Sequence, residues 1–209
     1  QREEEGTAEE LYRQIQEEKK KLIKDGKIKK EKPLPEITEE EKPFDLPKGW
    51  IWVRLAQLGS TVGGGTPKTA ISDYWTNGNI PWVTPADMKF VKGKYVQCGE
   101  RNITLEGLNN SSAQLMPKGS IIYSSRAPIG YIAIAHNDIT TNQGFKSLVP
   151  IIFEINEYVY YCLIALKNNI IKRASGTTFK EISGTEFGLT VIPLPPIEEQ
   201  KRIVAKIEE

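Results

Sequence analysis

Apolar residues recur along this chain at helical spacing in three places and as short extended runs between them. Leu11, Ile15 and Leu22 form a thin stripe through a stretch of Glu and Lys, the pattern of an amphipathic helix. Thr7-Ala8-Glu9-Glu10 opens it as a capping box, in which the Thr7 hydroxyl and the Glu10 carboxylate meet backbone N–H groups left free at a helix start. Asp25-Gly26 supplies a stop. So few anchors cannot hold a helix in isolation, so it must dock on something. Val159, Cys162, Leu163, Leu166 and Ile170 predict a second helix from Glu157 to about Arg173, one face packed on a sheet. After Pro193, Pro195 and Pro196, the residues Ile197, Val204 and Ile207 sit at a/d-type positions with Gln200 in the remaining seam place, which predicts a terminal helix of coiled-coil type. It reaches Glu209 after about three and a half turns, too short to stand alone, and reads as the edge of a segment of a longer protein.

Between the helices the pattern shortens. Ile80-Pro81-Trp82-Val83, Lys94-Tyr95-Val96, Ser120-Ile121-Ile122-Tyr123, Gly130 to Ala135 and Phe145 to Pro150 are β-prone runs separated by Gly, Pro, Asn and Ser. Lys27 to Pro47, with Pro33, Pro35, Pro43 and Pro47 among Lys and Glu, reads as an extended linker. The expected architecture is therefore α+β: one globular mixed domain of short strands with a packed helix, flanked by terminal coiled-coil-type helices. Its expected divisions are a helical segment at 1–26, a linker at 27–47, the domain proper at 48–194 and a second terminal helix at 195–209. No repeat at solenoid periods is visible.

Composition narrows the chemistry. With 209 residues and 39% hydrophobic side chains, the chain supports one good core. No run approaches the roughly 18 apolar residues of a membrane span, and QREEEGTAEE is too acidic for a targeting peptide; a cytoplasmic protein is expected. Cys98 and Cys162 lack CxxC spacing, and a single histidine, His136, leaves a zinc site short of ligands, so neither disulfide nor metal is expected. Residues 43–195 hold 14 Lys/Arg against 10 Asp/Glu, a mildly basic middle within a chain of formal net charge +1. That is compatible with a nucleic-acid partner without requiring one.

The glycines of Val62-Gly63-Gly64-Gly65-Thr66-Pro67-Lys68 invite comparison with a phosphate cradle, and the comparison fails. A P-loop needs lysine directly after its last glycine, but Gly65 stands there and Lys68 comes three residues later; a dinucleotide fingerprint needs a third glycine where Lys68 lies. A flexible turn closed by Pro67 and a loop offering Thr66 and Lys68 to a nucleic-acid backbone both remain open. His136 has no nucleophile elbow to serve, and Asp73, Asp87, Asp138, Glu181 and Glu186 are scattered rather than paired for acid–base work. No catalytic residues are assigned. Polar loops with a nearby positive charge are better represented: Ser124-Ser125-Arg126-Ala127-Pro128, Thr140-Thr141-Asn142-Gln143-Gly144 and Ser175-Gly176-Thr177-Thr178-Phe179-Lys180. Such groups suit phosphates and base edges, and equally suit bonds to their own backbone.

In order, Leu46-Pro47-Lys48-Gly49-Trp50, Trp52-Val53-Arg54-Leu55, Gly65-Thr66-Pro67-Lys68, Ile80-Pro81-Trp82-Val83, Pro117-Lys118-Gly119-Ser120, Arg126-Ala127-Pro128-Ile129-Gly130, Thr141-Asn142-Gln143-Gly144, Ala174-Ser175-Gly176-Thr177-Thr178 and Pro193-Leu194-Pro195-Pro196-Ile197-Glu198-Glu199-Gln200 resemble a target-recognition domain of the specificity subunit of type I restriction-modification systems. Ala8 to Thr38 is similar to the end of the helical region joining two such domains, which would make this the second of the pair. The resemblance implies a non-catalytic chain that reads half of a split target in double-stranded DNA. Modification (methyltransferase) subunits would bind S-adenosylmethionine and methylate adenine, and a restriction subunit would use ATP and magnesium; no cofactor is expected in this chain. The candidate DNA contacts are Thr66, Lys68, Ser125, Arg126, Asn142, Gln143, Lys146, Thr177, Thr178 and Lys180. The candidate subunit interface is Leu11, Ile15, Leu22, Ile197, Gln200, Val204 and Ile207, facing a modification subunit or a second copy of the chain. On this reading VGGGTPK is a backbone turn near the DNA whose glycines supply positive φ. The competing readings are a helix-mediated assembly module with inert loops and, resting on the glycine loop alone, a nucleotide hydrolase.

Overall fold

A computed structural model of the chain describes residues 5–209; the first four residues of the expected helical segment 1–26 lie outside them. Helix α1 (Ala8–Lys24) opens on the capping box read from the sequence, with the Glu10 amide donating to Thr7 Oγ1 at 3.2 Å and the Thr7 amide to Glu10 Oε2 at 2.8 Å. The helix lies on the globular body. Leu11 and Ile15 are buried in its main core, Lys19 Nζ donates to the Ala56 carbonyl at 2.6 Å, and Gln16 Nε2 donates to the Gln57 carbonyl at 2.9 Å.

Residues 27–47 form no strand and no helix longer than the single short turn at Glu39–Glu41, but the segment is not loose. Arg54, 2% exposed, spreads its guanidinium over it. Nε donates to the Pro35 carbonyl at 2.9 Å, Nη2 to the Glu36 carbonyl at 2.8 Å, and Nη1 and Nη2 to the two Glu41 carboxylate oxygens at 2.9 Å each. This bidentate pair is the geometry in which a guanidinium binds carboxylate most strongly.

The body contains three sheets. Strands β1 (Ile51–Arg54) and β10 (Val191–Leu194) make an antiparallel pair joining the two ends of the domain, Ile51 opposite Leu194. A five-stranded sheet runs in the order β2 (Gly59–Gly63), β9 (Lys146–Pro150), β6 (Ile121–Tyr123), β7 (Ile132–Ala135), β4 (Tyr95–Val96), antiparallel except for β4 against β7. A three-stranded sheet sets β3 (Ile80–Val83) between β5 (Arg101–Ile103) and β8 (Thr140–Thr141). Alternation along β6 explains its continuous burial: Ile121 and Tyr123 enter the larger core, beneath α1 and the C-terminal helices, and Ile122 enters a second core with Val83, Met116, Ile139 and Phe145. Both faces of the sheet are covered.

The helix expected from Glu157 to Arg173 divides into α2 (Asn156–Ala165) and α3 (Lys167–Lys172). At Leu166 the backbone moves to φ −86°, ψ 1°, a tightening of the last turn that bends the axis without a loop. The predicted face survives the bend, with Val159, Leu163 and Ile170 buried. After α4 (Gly184–Gly188) and β10, helix α5 (Ile197–Glu208) returns along the domain. Its end is tied by Lys94, whose Nζ lies 2.6 Å from both Glu157 and Glu208.

The interface expected on the terminal helices is corrected by this packing. Leu11, Ile15 and Val204 belong to the domain's own core, and Gln200, 1% exposed, donates from Nε2 to the Pro195 carbonyl at 2.9 Å. Leu22 and Ile197 are half-buried, and of the seven residues only Ile207 is exposed, at 52%. The stripes are thin because each helix spends its apolar face on one shared core rather than on a separate seam.

Candidate nucleic-acid interface

The glycine loop follows directly from β2, and its conformation differs from the expected one. None of Gly63, Gly64 and Gly65 has positive φ. What these positions require is closeness: a Cβ on Gly64 would stand 1.9 Å from the Asn142 carbonyl oxygen, and one on Gly65 would stand 2.3 Å from Ser112 Oγ, distances no side chain tolerates. The Gly65 amide donates to the Thr141 carbonyl at 2.9 Å. The loop is thus clamped against the end of β8, and Thr66 Oγ1 donates to Gln143 Oε1 at 2.6 Å across 77 residues of sequence. Asn142 is held from both sides, its amide donating to the Val83 carbonyl at 2.9 Å and its Oδ1 accepting from the Gly144 amide at 2.8 Å. Its side-chain NH2, and that of Gln143, remain available as donors.

Gly144 carries the surface onward. Its carbonyl accepts from the Ser125 amide at 2.8 Å, and the Ser125 carbonyl accepts from the Ile182 amide at 3.1 Å, so three distant loops are laced by backbone bonds. Ser125 itself is fully buried and acts in the scaffold, a correction to its place among the expected contacts. Arg126 and Lys146 flank it, and between them stands Glu181, 3.6 Å from Arg126 Nη1 and 3.6 Å from Lys146 Nζ. These are loose pairs at half-exposed positions, where such contacts are worth little.

The third loop is open to solvent along its length. Ser175 and Glu181 exchange backbone hydrogen bonds at 3.1 and 2.9 Å, closing a tip in which Thr177, Thr178, Phe179 and Lys180 are all exposed and Phe179 reaches 86%. Gly176 turns the chain at φ 105°, a conformation glycine adopts without steric penalty. Lys68 lies on the opposite flank, exposed, its carbonyl accepting from Trp75 Nε1 at 3.2 Å.

Of the ten expected contacts, Thr66, Asn142 and Gln143 therefore form one cluster, Arg126 and Lys146 a second, and Thr177, Thr178 and Lys180 a third, linked through Gly144, Ser125 and Glu181. Lys68 stands beside the first cluster. Glu181, in the sequence only a candidate catalytic carboxylate, and Trp75 and Arg101, which have no local signal there, join this edge through contacts between residues far apart in the chain, which local pattern does not carry. The edge combines hydroxyls, amides and cations, the groups that meet phosphate oxygens and base edges. Among the described residues, no group of three or more His, Cys, Asp or Glu is gathered to hold a metal ion.

Residues 47–209 match the family described as type I restriction modification DNA specificity domain. The chain is 42% identical over 160 residues to the type I restriction enzyme MjaIX specificity subunit of Methanocaldococcus jannaschii, an alignment covering 76% of this chain and 37% of that protein. It is 28% identical over 217 residues to the EcoAI specificity subunit of Escherichia coli, covering 97% and 35% respectively. The chain thus spans little more than a third of either relative's length. A chain from a structure addressing complex assembly and conformational transition of a type I restriction-modification system superposes with a TM-score of 0.62 at 26% identity, over 96% of this chain and 47% of that one. Agreement of one family description over all but the first 46 residues, and of one architecture over nearly the whole chain, leads to one conclusion: this chain belongs to the type I restriction modification DNA specificity domain family.

Proposed function

We propose that this chain reads one half of a bipartite duplex DNA target as part of a type I specificity subunit, and that modification and restriction subunits bound to it carry out adenine methylation and DNA cleavage. The chain's own role is non-catalytic: S-adenosylmethionine, ATP and magnesium belong to those partners. The observation that carries this reading is the convergence of loops 64–68, 124–130, 141–146 and 174–182 on one edge rich in amides, hydroxyls and cations. The loops are backed by two packed cores, as a reading head needs if its side chains are to hold their positions against a groove. Asn142 and Gln143 offer amides suited to adenine, Arg126 a fork suited to guanine or phosphate, and Lys68, Lys146 and Lys180 point charges suited to phosphates.

The test is made on the assembled modification enzyme. The wild-type methylome defines the motif, and Arg126→Ala and Lys180→Ala are then compared with it in methylome sequencing and in DNA-binding assays across a salt series. Loss of a phosphate contact should weaken binding to all sequences and reduce the salt slope by roughly one unit, whereas loss of a base contact should relax one position. Unchanged motif, affinity and slope in both variants would remove these loops from the interface.

A further inference from the structure

Trp82 in β3 pairs with Arg101 in β5 on one side and with Thr140 in β8 on the other, so all three side chains share one face of the small sheet. That face is capped by the glycine loop. Trp82 Nε1 donates to the Gly65 carbonyl at 2.9 Å, and Trp75, edge-on to Trp82 with centroids 5.1 Å apart, donates from Nε1 to the Lys68 carbonyl at 3.2 Å. The exposed Arg101 lays its guanidinium 3.6 Å from the centre of the Trp75 ring. The arginines among the described residues that form ion pairs are Arg54, Arg126, Arg173 and Arg202. Arg101 is held by an aromatic face instead.

The manner of holding decides what the group can do. A carboxylate partner occupies the N–H edge of a guanidinium; stacking occupies its face and leaves the N–H donors directed outward in its plane. Trp75 in turn cannot swing freely, because its indole N–H is anchored and its edge meets a buried Trp82. Arg101 is therefore a pre-oriented, charged, two-pronged donor fixed to the same loop that carries Thr66 and Lys68. A guanidinium fork can grip a phosphate as well, but a fork held in one orientation, beside a loop whose Lys68 already offers a charge to phosphate, matches the paired O6 and N7 acceptors of guanine.

We propose that Arg101, positioned by Trp75, reads a guanine edge in the half-site, extending the recognition edge past Lys68. The inference rests on the DNA-reading role proposed above. Its test uses the assembled modification enzyme and the motif methylated by the wild type. Arg101→Ala should make one guanine position of this half-site degenerate and lower discrimination there roughly 5- to 150-fold, the range for a bidentate base contact. Arg101→Lys keeps the charge and loses the fork, so it should relax the same position less than Arg101→Ala does while leaving the salt slope unchanged. If methylation is lost altogether in a variant, competition between the wild-type duplex and duplexes changed at single guanines, read by fluorescence anisotropy, gives the same comparison. An unchanged motif and unchanged discrimination in Arg101→Ala would overturn the proposal, and a reduced salt slope with that motif unchanged would make the residue a phosphate contact. A wild-type complex whose motif ignores this chain would instead defeat the DNA-reading role, a result distinct from either.

Discussion

Gly63 and Gly64 are adjacent and identical in kind, yet the fold asks different things of them. Around Gly63 an added Cβ meets nothing within 4 Å, whereas at Gly64 it would collide with the Asn142 carbonyl at 1.9 Å. Gly64→Ala should therefore push the loop off β8 and cost about 1–3 kcal/mol, as overpacking does, seen as a fall in Tm of several degrees; Gly63→Ala should change Tm little. Equal effects at the two positions would mean that the close approach is not what the glycines serve. The run of three glycines was conspicuous in the sequence, but its reason was not, because the crowding atoms at Gly64 belong to residues nearly 80 positions away. The Thr66–Gln143 hydrogen bond was hidden for the same reason: both residues had been singled out as loop polar groups, and nothing local showed that they touch.

Elements with a local signal were legible, among them strands β3, β4, β6, β7 and β9, which lie where the short apolar runs predict them. The capping box of α1 is a contact between residues three apart, written wholly in the local sequence. By contrast β1 exists because β10 lies beside it, with Ile51 opposite Leu194, and such pairing leaves no short-range signature. The stripe on α1 was read correctly as apolar and wrongly as a face for another chain. Ile15 is fully buried in the domain core and Ile207 is 52% exposed, so Ile15→Ala should destabilise the isolated chain by about 2–5 kcal/mol, and Ile207→Ala should leave its urea midpoint nearly unmoved. The linker yields a pH test. Two N–H donations from Arg54, followed by one from the Thr38 amide, hold the Glu41 carboxyl below its usual 4.5. A lowered folded-state value contributes stability that is present above the unfolded value and is lost as pH falls through the folded one. The urea midpoint should accordingly drop below about pH 4.5 in the native chain. Glu41→Gln should already be lower at neutral pH and should lose less over the same acid range. Parallel curves would show that the pair does not fasten the linker.

At the scale of the whole molecule, a formal charge of +1 is a weak lure for DNA, so the arrangement of cations must matter more than their number. Glu181 sits in the middle of the proposed edge, within 3.6 Å of both Arg126 and Lys146, and its backbone closes the exposed loop through Ser175. A carboxylate there opposes any polyanion that approaches without the right contacts. This is specificity obtained through a repulsive group as well as attractive ones. Glu181→Gln preserves the size and the backbone bridge while removing the charge. In the assembled enzyme it should tighten binding to non-target duplex several-fold and steepen the salt dependence by roughly 0.9 for each cation that gains a phosphate. Binding to the target should improve less, because there the favourable base contacts already offset the repulsion, and the ratio of target to non-target affinity should shrink. The measurement is a pair of anisotropy titrations, target and scrambled duplex, at several salt concentrations. Were the variant to bind both duplexes like the wild type, Arg126 and Lys146 would not face the phosphates. Were it to improve both equally, Glu181 would be a general brake on affinity with no share in choosing the sequence.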